Sequence, residues 1–342
     1  MRYQGPPQPP PDADRTGVLL VNTGTPEQPQ TAEVRRYLAA FLGDPRVVEA
    51  PRLPWLVALH GFILRTRPRV SAAKYRRIWT PEGSPLLVLS RQLQSALAAE
   101  LTVNPGPLPA APVVLIAMLY SQPSVPQALR QLVTAGCRSI LVLPLYPQYS
   151  AATTGAVHDQ VMRELAHWRW LPALRWVTHY HQDPGYIVAL RNQVRKHWQQ
   201  HGQPAHFLMS FHGIPQVCAD RGDPYPQQCH VTARLLADAL NLARGDWSLT
   251  FQSRLGPAQW LKPYTMDTME KLPATGIRDL GVLCPGFPID CLETLEEIEM
   301  ENHRAFLAAG GSRFSYVPAL NAGEEQIQFL TGLIHRHCQG WT

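Results

Sequence analysis

Two kinds of apolar run recur along the chain. The first is a strand-like run ending in a Gly-x-Pro turn: Val18-Leu-Leu-Val-Asn-Thr-Gly-Thr-Pro26, and again Phe207-Leu-Met-Ser-Phe-His-Gly-Ile-Pro215. The second ends in proline and an aromatic residue: Ile140-Leu-Val-Leu-Pro-Leu-Tyr-Pro147, and later Leu280-Gly-Val-Leu-Cys-Pro-Gly-Phe-Pro288. Their continuous apolar character predicts strands buried on both faces, as in parallel sheets. Between them, helical spacing recurs over residues 125–135, 157–168, 186–199 and 232–242, so strands alternate with helices. A pattern that opens and closes twice in the same way predicts an internally duplicated α/β fold of two similar halves, each a parallel sheet flanked by helices. Loops at the carboxyl ends of such strands are where open α/β sheets bind ligands, which puts Thr23, Tyr149, His212 and Asp290 on that rim.

A length of 342 residues, with 45% hydrophobic and 17% charged residues, accommodates two halves with a sizeable core. The expected organisation is a disordered, proline-rich arm over 1–15, an N-terminal α/β half over 16–172, a C-terminal half over 173–325, and a helix over 326–342 that returns to the N-terminal half. The break between halves belongs near residues 170–180. No run approaches the roughly 20 apolar residues of a membrane span. The N-terminus lacks the basic, apolar and small-residue series of a secretory signal. Six cysteines without a CxxC pair fit a reducing, cytoplasmic compartment and argue against a Cys-ligated zinc or iron-sulfur site. Neither Gly-x-Gly-x-x-Gly nor Gly-x-x-x-x-Gly-Lys-[Ser/Thr] occurs, which removes support for a dinucleotide enzyme or an ATP-driven one.

The net charge of +5 is modest, and no nucleic-acid partner is expected. The basic residues crowd into Arg65, Arg67, Arg69, Lys74, Arg76 and Arg77, just after the apolar segment 53–64. Such a run is by default a solvated surface. Beside exposed apolar and aromatic groups it can instead rest on a membrane through residues 51–69, at the inner membrane surface, or hold an apolar ligand with anionic arms.

His212, at the end of an apolar strand, can be a base, a metal ligand or a hydrogen-bonded core residue; an ordinary pKa of about 6.5 leaves it able to accept a proton or a metal near neutrality. Glu293, Glu297 and Glu301 stand four residues apart in a helix that Asp290 is placed to cap. On an α-helix they drift by about 40° per step, and a π-bulge would align them better. Like charges at this spacing cost a few tenths of a kcal/mol per pair. The row is either a solvated acidic face or a track for hydrated divalent cations, which carboxylates hold without the grip of thiolates.

With these residues in place, the chain from about residue 16 to 321 resembles the ferrochelatases. The resemblance is carried, in the family's order, by Val21-Asn-Thr-Gly-Thr-Pro26, Lys74-Tyr-Arg-Arg-Ile78 with Gly83-Ser-Pro85, Leu145-Tyr-Pro-Gln-Tyr-Ser150 with Thr153-Thr-Gly155, and Ser210-Phe-His-Gly-Ile-Pro215. Gly222-Asp-Pro-Tyr-Pro226, Thr250-Phe-Gln-Ser-Arg-Leu-Gly-Pro257 with Trp260-Leu261, and Asp290-Cys-Leu-Glu-Thr-Leu295 continue it. The tail of the series is similar to the proteobacterial branch.

The resemblance implies two Rossmann-like (flavodoxin-like) halves of class II chelatase type with a cleft for the macrocycle, and insertion of Fe²⁺, a substrate and not a resident cofactor, into protoporphyrin IX. It implies catalytic roles for His212 and Glu293, a metal-handling row of His212, Glu293, Glu297 and Glu301, and porphyrin contacts from Thr23, Arg76, Arg77, Tyr120, Tyr149 and Ser150. Three departures stand out. Leu119 replaces an arginine found in many relatives, a contact that Arg76 or Arg77 could assume. Cys338 alone remains where the animal branch ligates an iron-sulfur cluster, so none is expected. Cys291 replaces a histidine of some relatives. The competing readings are a chelatase for coproporphyrin or for cobalt and a corrin precursor, a non-catalytic haem or porphyrin carrier, and a flavodoxin-like binding protein.

Overall fold

The computed structural model describes Tyr3, Gly5, residues 14–254, Gly256 and residues 258–341. The chain divides into two compact units, one of Met1–Tyr146, Ser150–His179 and Ile327–Thr342, the other of Pro147–Tyr149 and Tyr180–Gln326. Most of the expected arm lies outside the described residues. Arg15, counted with it, is instead the first residue of a strand.

In the first unit, β1 (Arg15–Asn22), β2 (Val113–Met118), β3 (Cys137–Pro144) and β4 (Ala173–Trp176) form a parallel sheet in the order β2-β1-β3-β4. In the second, β5 (His206–His212), β6 (Trp247–Gln252), β7 (Asp279–Leu283) and β8 (Arg313–Val317) form another in the order β6-β5-β7-β8. The two orders are the same permutation, so β1 corresponds to β5 and β3 to β7. The duplication extends to the helices. After β3 the chain enters a π-helical turn at Ala151–Gly155, and after β7 it enters a longer π-helix at Glu293–Asn302. In each sheet the strand order reverses between the first and third strands, which makes the carboxyl ends of β1/β3 and β5/β7 the two switch points.

Packing follows from the apolar runs. Leu19 and Val21 of β1 and Ile140 and Val142 of β3 meet Leu129, Leu132 and Val133 of the helix Val125–Thr134 and Val157, Val161 and Leu165 of the helix Ala156–Leu165. In the second unit Leu208, Leu280 and Val282 pack with Met269, Phe306 and Ile298, the last a residue of the π-helix itself. Each such side chain contributes about 1.5–3 kcal/mol on burial, so the apolar face of the π-helix helps to hold it in place.

Four expectations are corrected. The break at 172/173 falls ahead of β4, which pairs with β3 through Ser139–Ala173 to Val142–Trp176 and so belongs to the first sheet. The helix expected at 232–242 begins earlier and spans Tyr225–Ala239: the Asp223 carboxylate accepts from the Tyr225 N–H at 3.0 Å, and Pro226 sits in the first turn, where its missing N–H needs no partner. The C-terminal helix spans Glu324–Cys338. Asp290 does not cap the acidic helix through a backbone N–H; its side chain is committed to other side chains, described below.

Candidate active site

His212 ends β5 opposite Gln252 of β6, and Gly213 N–H donates to the Gln252 carbonyl at 2.8 Å. This close approach requires glycine: a Cβ on Gly213 would sit 2.9 Å from that carbonyl oxygen and 3.2 Å from the Trp260 ring. The turn folds the Gly213 carbonyl back to 2.6 Å from His212 Nδ1. A carbonyl can only accept, so Nδ1 carries the proton and the neutral ring keeps its Nε2 lone pair. Trp260 and Phe287 stand at ring-centre distances of 6.5 and 6.4 Å, Phe287 coming from the loop after β7 across the switch point.

The π-helix is fixed to the end of β6 at two places. Gln252 Nε2 donates to the Glu293 carbonyl at 2.8 Å, while its Oε1 accepts from Ser210 Oγ at 2.7 Å. Ser210 in turn bonds Thr265, which donates to Thr250, so a buried polar chain sets the Gln252 side chain. One residue on, Ser253 donates its N–H to Glu297 Oε1 at 2.7 Å and its hydroxyl to Oε2 at 2.5 Å. The i→i+5 ladder widens each turn beyond that of an α-helix, which reduces the drift between residues four apart and brings Glu293 and Glu297 close enough to repel. Burial is the main cause that raises the Glu297 pKa and the Glu293 charge adds to it, while the Ser253 bonds, and His212 whenever its ring is protonated, oppose it.

Asp290 anchors the same amino-terminal end of the helix from the segment that leads into it. Its Oδ1 accepts from Tyr316 Oη at 2.6 Å and Thr294 Oγ1 at 2.9 Å, its Oδ2 from Asn321 Nδ2 at 2.7 Å. Burial, then the neighbouring Asp290 charge, push the Tyr316 hydroxyl well above its usual range. Cys291 is buried and hydrogen-bonded to the Glu293 side chain; burial first and that carboxylate second push its thiol up, so it stays protonated and is a poor metal ligand. Glu301 is half-buried near the end of the π-helix. Among the described residues no three His, Cys, Asp or Glu side chains converge to hold a metal ion. His212, Glu293, Glu297 and Glu301 are therefore not a closed cage.

In the first unit, Thr23 stands just after β1 and before Gly24, as His212 stands at the end of β5 before Gly213. Its hydroxyl shares a 2.6 Å hydrogen bond with Tyr146 Oη across the β1/β3 switch point. Gly24 next to it has φ +104° and passes Ser121 so closely that a Cβ would lie 2.5 Å from Oγ. Tyr120 is buried and donates to Asp44 Oδ2 at 3.0 Å; burial, then the Asp44 charge, raise its pKa. Ser150 is buried, and its hydroxyl accepts from Ala152 N–H at the head of the short π turn. Arg76 and Arg77 lie exposed in the last turn of the helix Leu64–Ile78. In the second unit Tyr149 is half-buried, its N–H donating to Gln228 Oε1 at 2.7 Å.

The structure thus brings His212, Glu293 and Glu297 together, and it adds residues the sequence did not single out. Gln252 and Ser253 lie inside a quoted motif at the end of an apolar strand, the same signal that marked His212. Nothing in the sequence ties Tyr146 to Thr23, or Asp44 to Tyr120.

Comparison with known proteins agrees over nearly the whole chain. The Ferrochelatase family model matches residues 15–338. The ferrochelatase of Thioalkalivibrio sulfidiphilus is 51% identical over 326 residues, covering 95% of this chain and 87% of the relative. That of Methylococcus capsulatus is 51% identical over 324 residues, covering 95% and 97%. Among solved structures, SirB from Bacillus subtilis with Fe³⁺ superposes with a TM-score of 0.57 at 12% identity over 95% of this chain and 96% of that one, which is a likeness of fold. Two parallel sheets of one strand order, a strand-end histidine and a carboxylate-bearing π-helix sit in a sequence that matches the family from its first strand to its last helix: the chain belongs to the ferrochelatase family of metal-chelating enzymes.

Proposed function

We propose that this protein is a lyase that inserts Fe²⁺ into protoporphyrin IX to give protohaem with release of two protons, the terminal step of haem biosynthesis. The observation that supports it best is the His212 ring, whose Nδ1–H is spent on the Gly213 carbonyl and whose Nε2 is left basic beside two aromatic rings. A free-base porphyrin holds two pyrrole N–H groups and binds no cation until they leave. His212 Nε2 accepts one pyrrole proton, passes it to Glu293 and then accepts the second, and the two nitrogen lone pairs so freed bind Fe²⁺ without any change of oxidation state. Glu293 orients or relays, and the Glu297 and Glu301 carboxylates pass cations in and protons out. A row without a closed three-ligand cage suits a cation that must move on, because each carboxylate holds it only briefly.

The residues proposed to contact porphyrin are Thr23, Arg76, Arg77, Tyr120, Tyr149 and Ser150. Since the Tyr120 hydroxyl is bound to Asp44, its contribution is the ring. Peripheral membrane contact is proposed for the segment beginning at the helix Arg52–Ala58. Leu53, Val57 and Phe62 are 78%, 73% and 69% exposed there, and Arg52, Arg65, Arg67 and Arg69 are exposed beside them, an apolar and basic surface suited to anionic lipid. Among the described residues no helix is long and apolar enough to cross a membrane.

The test is to mix the protein anaerobically with Fe²⁺ or Zn²⁺ and either protoporphyrin IX or coproporphyrin, and to follow the absorbance of the metallated ring. Turnover beyond one equivalent with protoporphyrin is expected. Binding without turnover would make the protein a carrier, and turnover of coproporphyrin alone would overturn the substrate assignment.

A further inference from the structure

Ser253 stands one residue beyond β6 with φ +65°, a left-handed conformation that glycine adopts freely and serine only at a cost. Its two donors fall on the two oxygens of a single carboxylate, N–H on Oε1 and O–H on Oε2 of Glu297, 44 positions further along the chain. Both bonds are made with the backbone in this left-handed conformation. The left-handed backbone and the pair of hydrogen bonds to Glu297 occur at one residue.

We propose that Ser253 is a positioning residue for metal delivery, holding the Glu297 carboxylate in one fixed plane so that the cation, on its way along the row, meets a preset pair of oxygens. The proposal rests on the chelatase reading above. Each carboxylate oxygen has lone pairs beyond the one Ser253 engages, so a cation can still bind. A carboxylate swinging between rotamers would have to be ordered anew for each ion. With its orientation fixed beforehand, that ordering is already complete when the ion arrives. Glycine would satisfy the backbone more cheaply. Serine is the residue that also supplies the hydroxyl.

This gives a test that separates a structural role from a positioning role by the split between two KM values. In Ser253→Gly the backbone cost is relieved and the N–H bond kept, while the hydroxyl bond is lost. If Ser253 were merely structural, the two KM values would stay unchanged or worsen together, any loss tracking a lower melting temperature. If it positions Glu297, the melting temperature stays equal or rises while KM for Fe²⁺ increases about tenfold, the scale of one lost hydrogen bond to a charged group, and KM for porphyrin stays within about twofold. Ser253→Ala, which keeps the strain, should give the same split between the two KM values. In a Glu297→Gln background Ser253→Gly should add little further change, since the group it positions is already altered.

An active wild-type protein whose Ser253→Gly variant keeps KM for Fe²⁺ within about twofold would overturn the proposal, as would a uniform loss in both KM values together with a lower melting temperature. No turnover by the wild-type protein would instead overturn the functional reading on which it stands.

Discussion

Replacing Asp290 by asparagine keeps the shape of a buried side chain and changes only which atoms donate and accept. The carboxylate is 4% exposed and accepts from three donors: the Tyr316 and Thr294 hydroxyls at Oδ1 and Asn321 Nδ2 at Oδ2. An amide cannot accept at both ends. With its NH₂ at the Oδ2 position it opposes the NH₂ of Asn321, and Asn321 cannot turn over without losing its own Oδ1 bond from Asp290 N–H at 2.8 Å. With its NH₂ at the Oδ1 position it leaves the Tyr316 hydroxyl proton unmatched; Thr294 can fall back on the Cys291 carbonyl at 3.2 Å.

Either way one buried donor is stranded and the charge assistance at the others is lost, together costing about 2–4 kcal/mol. Against this runs the relief of no longer burying a charge, which for well-packed replacements can reach a similar size. Three well-made bonds to the carboxylate decide the balance toward destabilisation. At about 2–4 °C per kcal/mol for a unit of roughly 150 residues, Asp290→Asn should lower the melting temperature by about 4–15 °C. Differential scanning calorimetry on the full chain reads this directly. A variant melting within about 2 °C of the parent, or above it, would refute the reasoning and show that desolvation outweighs the hydrogen bonds at this site.

Further outcomes follow from the electrostatics and the surface. His158, His197 and His206 all have pKa values lowered first by burial, so the unfolded chain takes up these protons before the folded one does. Stability should therefore fall as pH drops through the usual histidine range from about 7.5 to 5.5; melts of equal midpoint across that window would contradict it. Asp159, lowered mainly by its hydrogen bond from Arg46, adds a loss of the same sign at lower pH. On the exposed helix, Leu53→Asp combined with Phe62→Asp should abolish co-sedimentation with anionic vesicles while leaving turnover in detergent within about twofold; undiminished sedimentation would show that this face does not touch lipid.

The strands were legible because the sheets are parallel and buried on both faces, which leaves continuous apolar runs such as those of β1, β3 and β5. β4 was not, because its four residues are only half covered and its sequence Ala173-Leu-Arg-Trp176 carries no run; it belongs to the first sheet through pairing alone. The acidic row could be read as a ladder, but its π geometry across ten residues depends on what holds it from outside: Gln252 at the Glu293 carbonyl, Ser253 at Glu297, and the Asp290 anchor. The long-range partners lie 26 to 44 positions apart in the chain and are contacts with no periodic trace. His212 was visible as a strand-end histidine. Its tautomer depends on where the turn places the Gly213 carbonyl, which only the folded backbone determines.

The central claim is that His212 Nε2 takes the pyrrole proton. The most direct measurement is the anaerobic single-turnover rate of metallation by His212→Ala at saturating Fe²⁺ and protoporphyrin, beside a melting curve that certifies the fold. General-base removal should slow the step by about 100-fold or more at an unchanged melting temperature. A rate within about twofold of the parent would contradict the claim and move the proton acceptor away from His212.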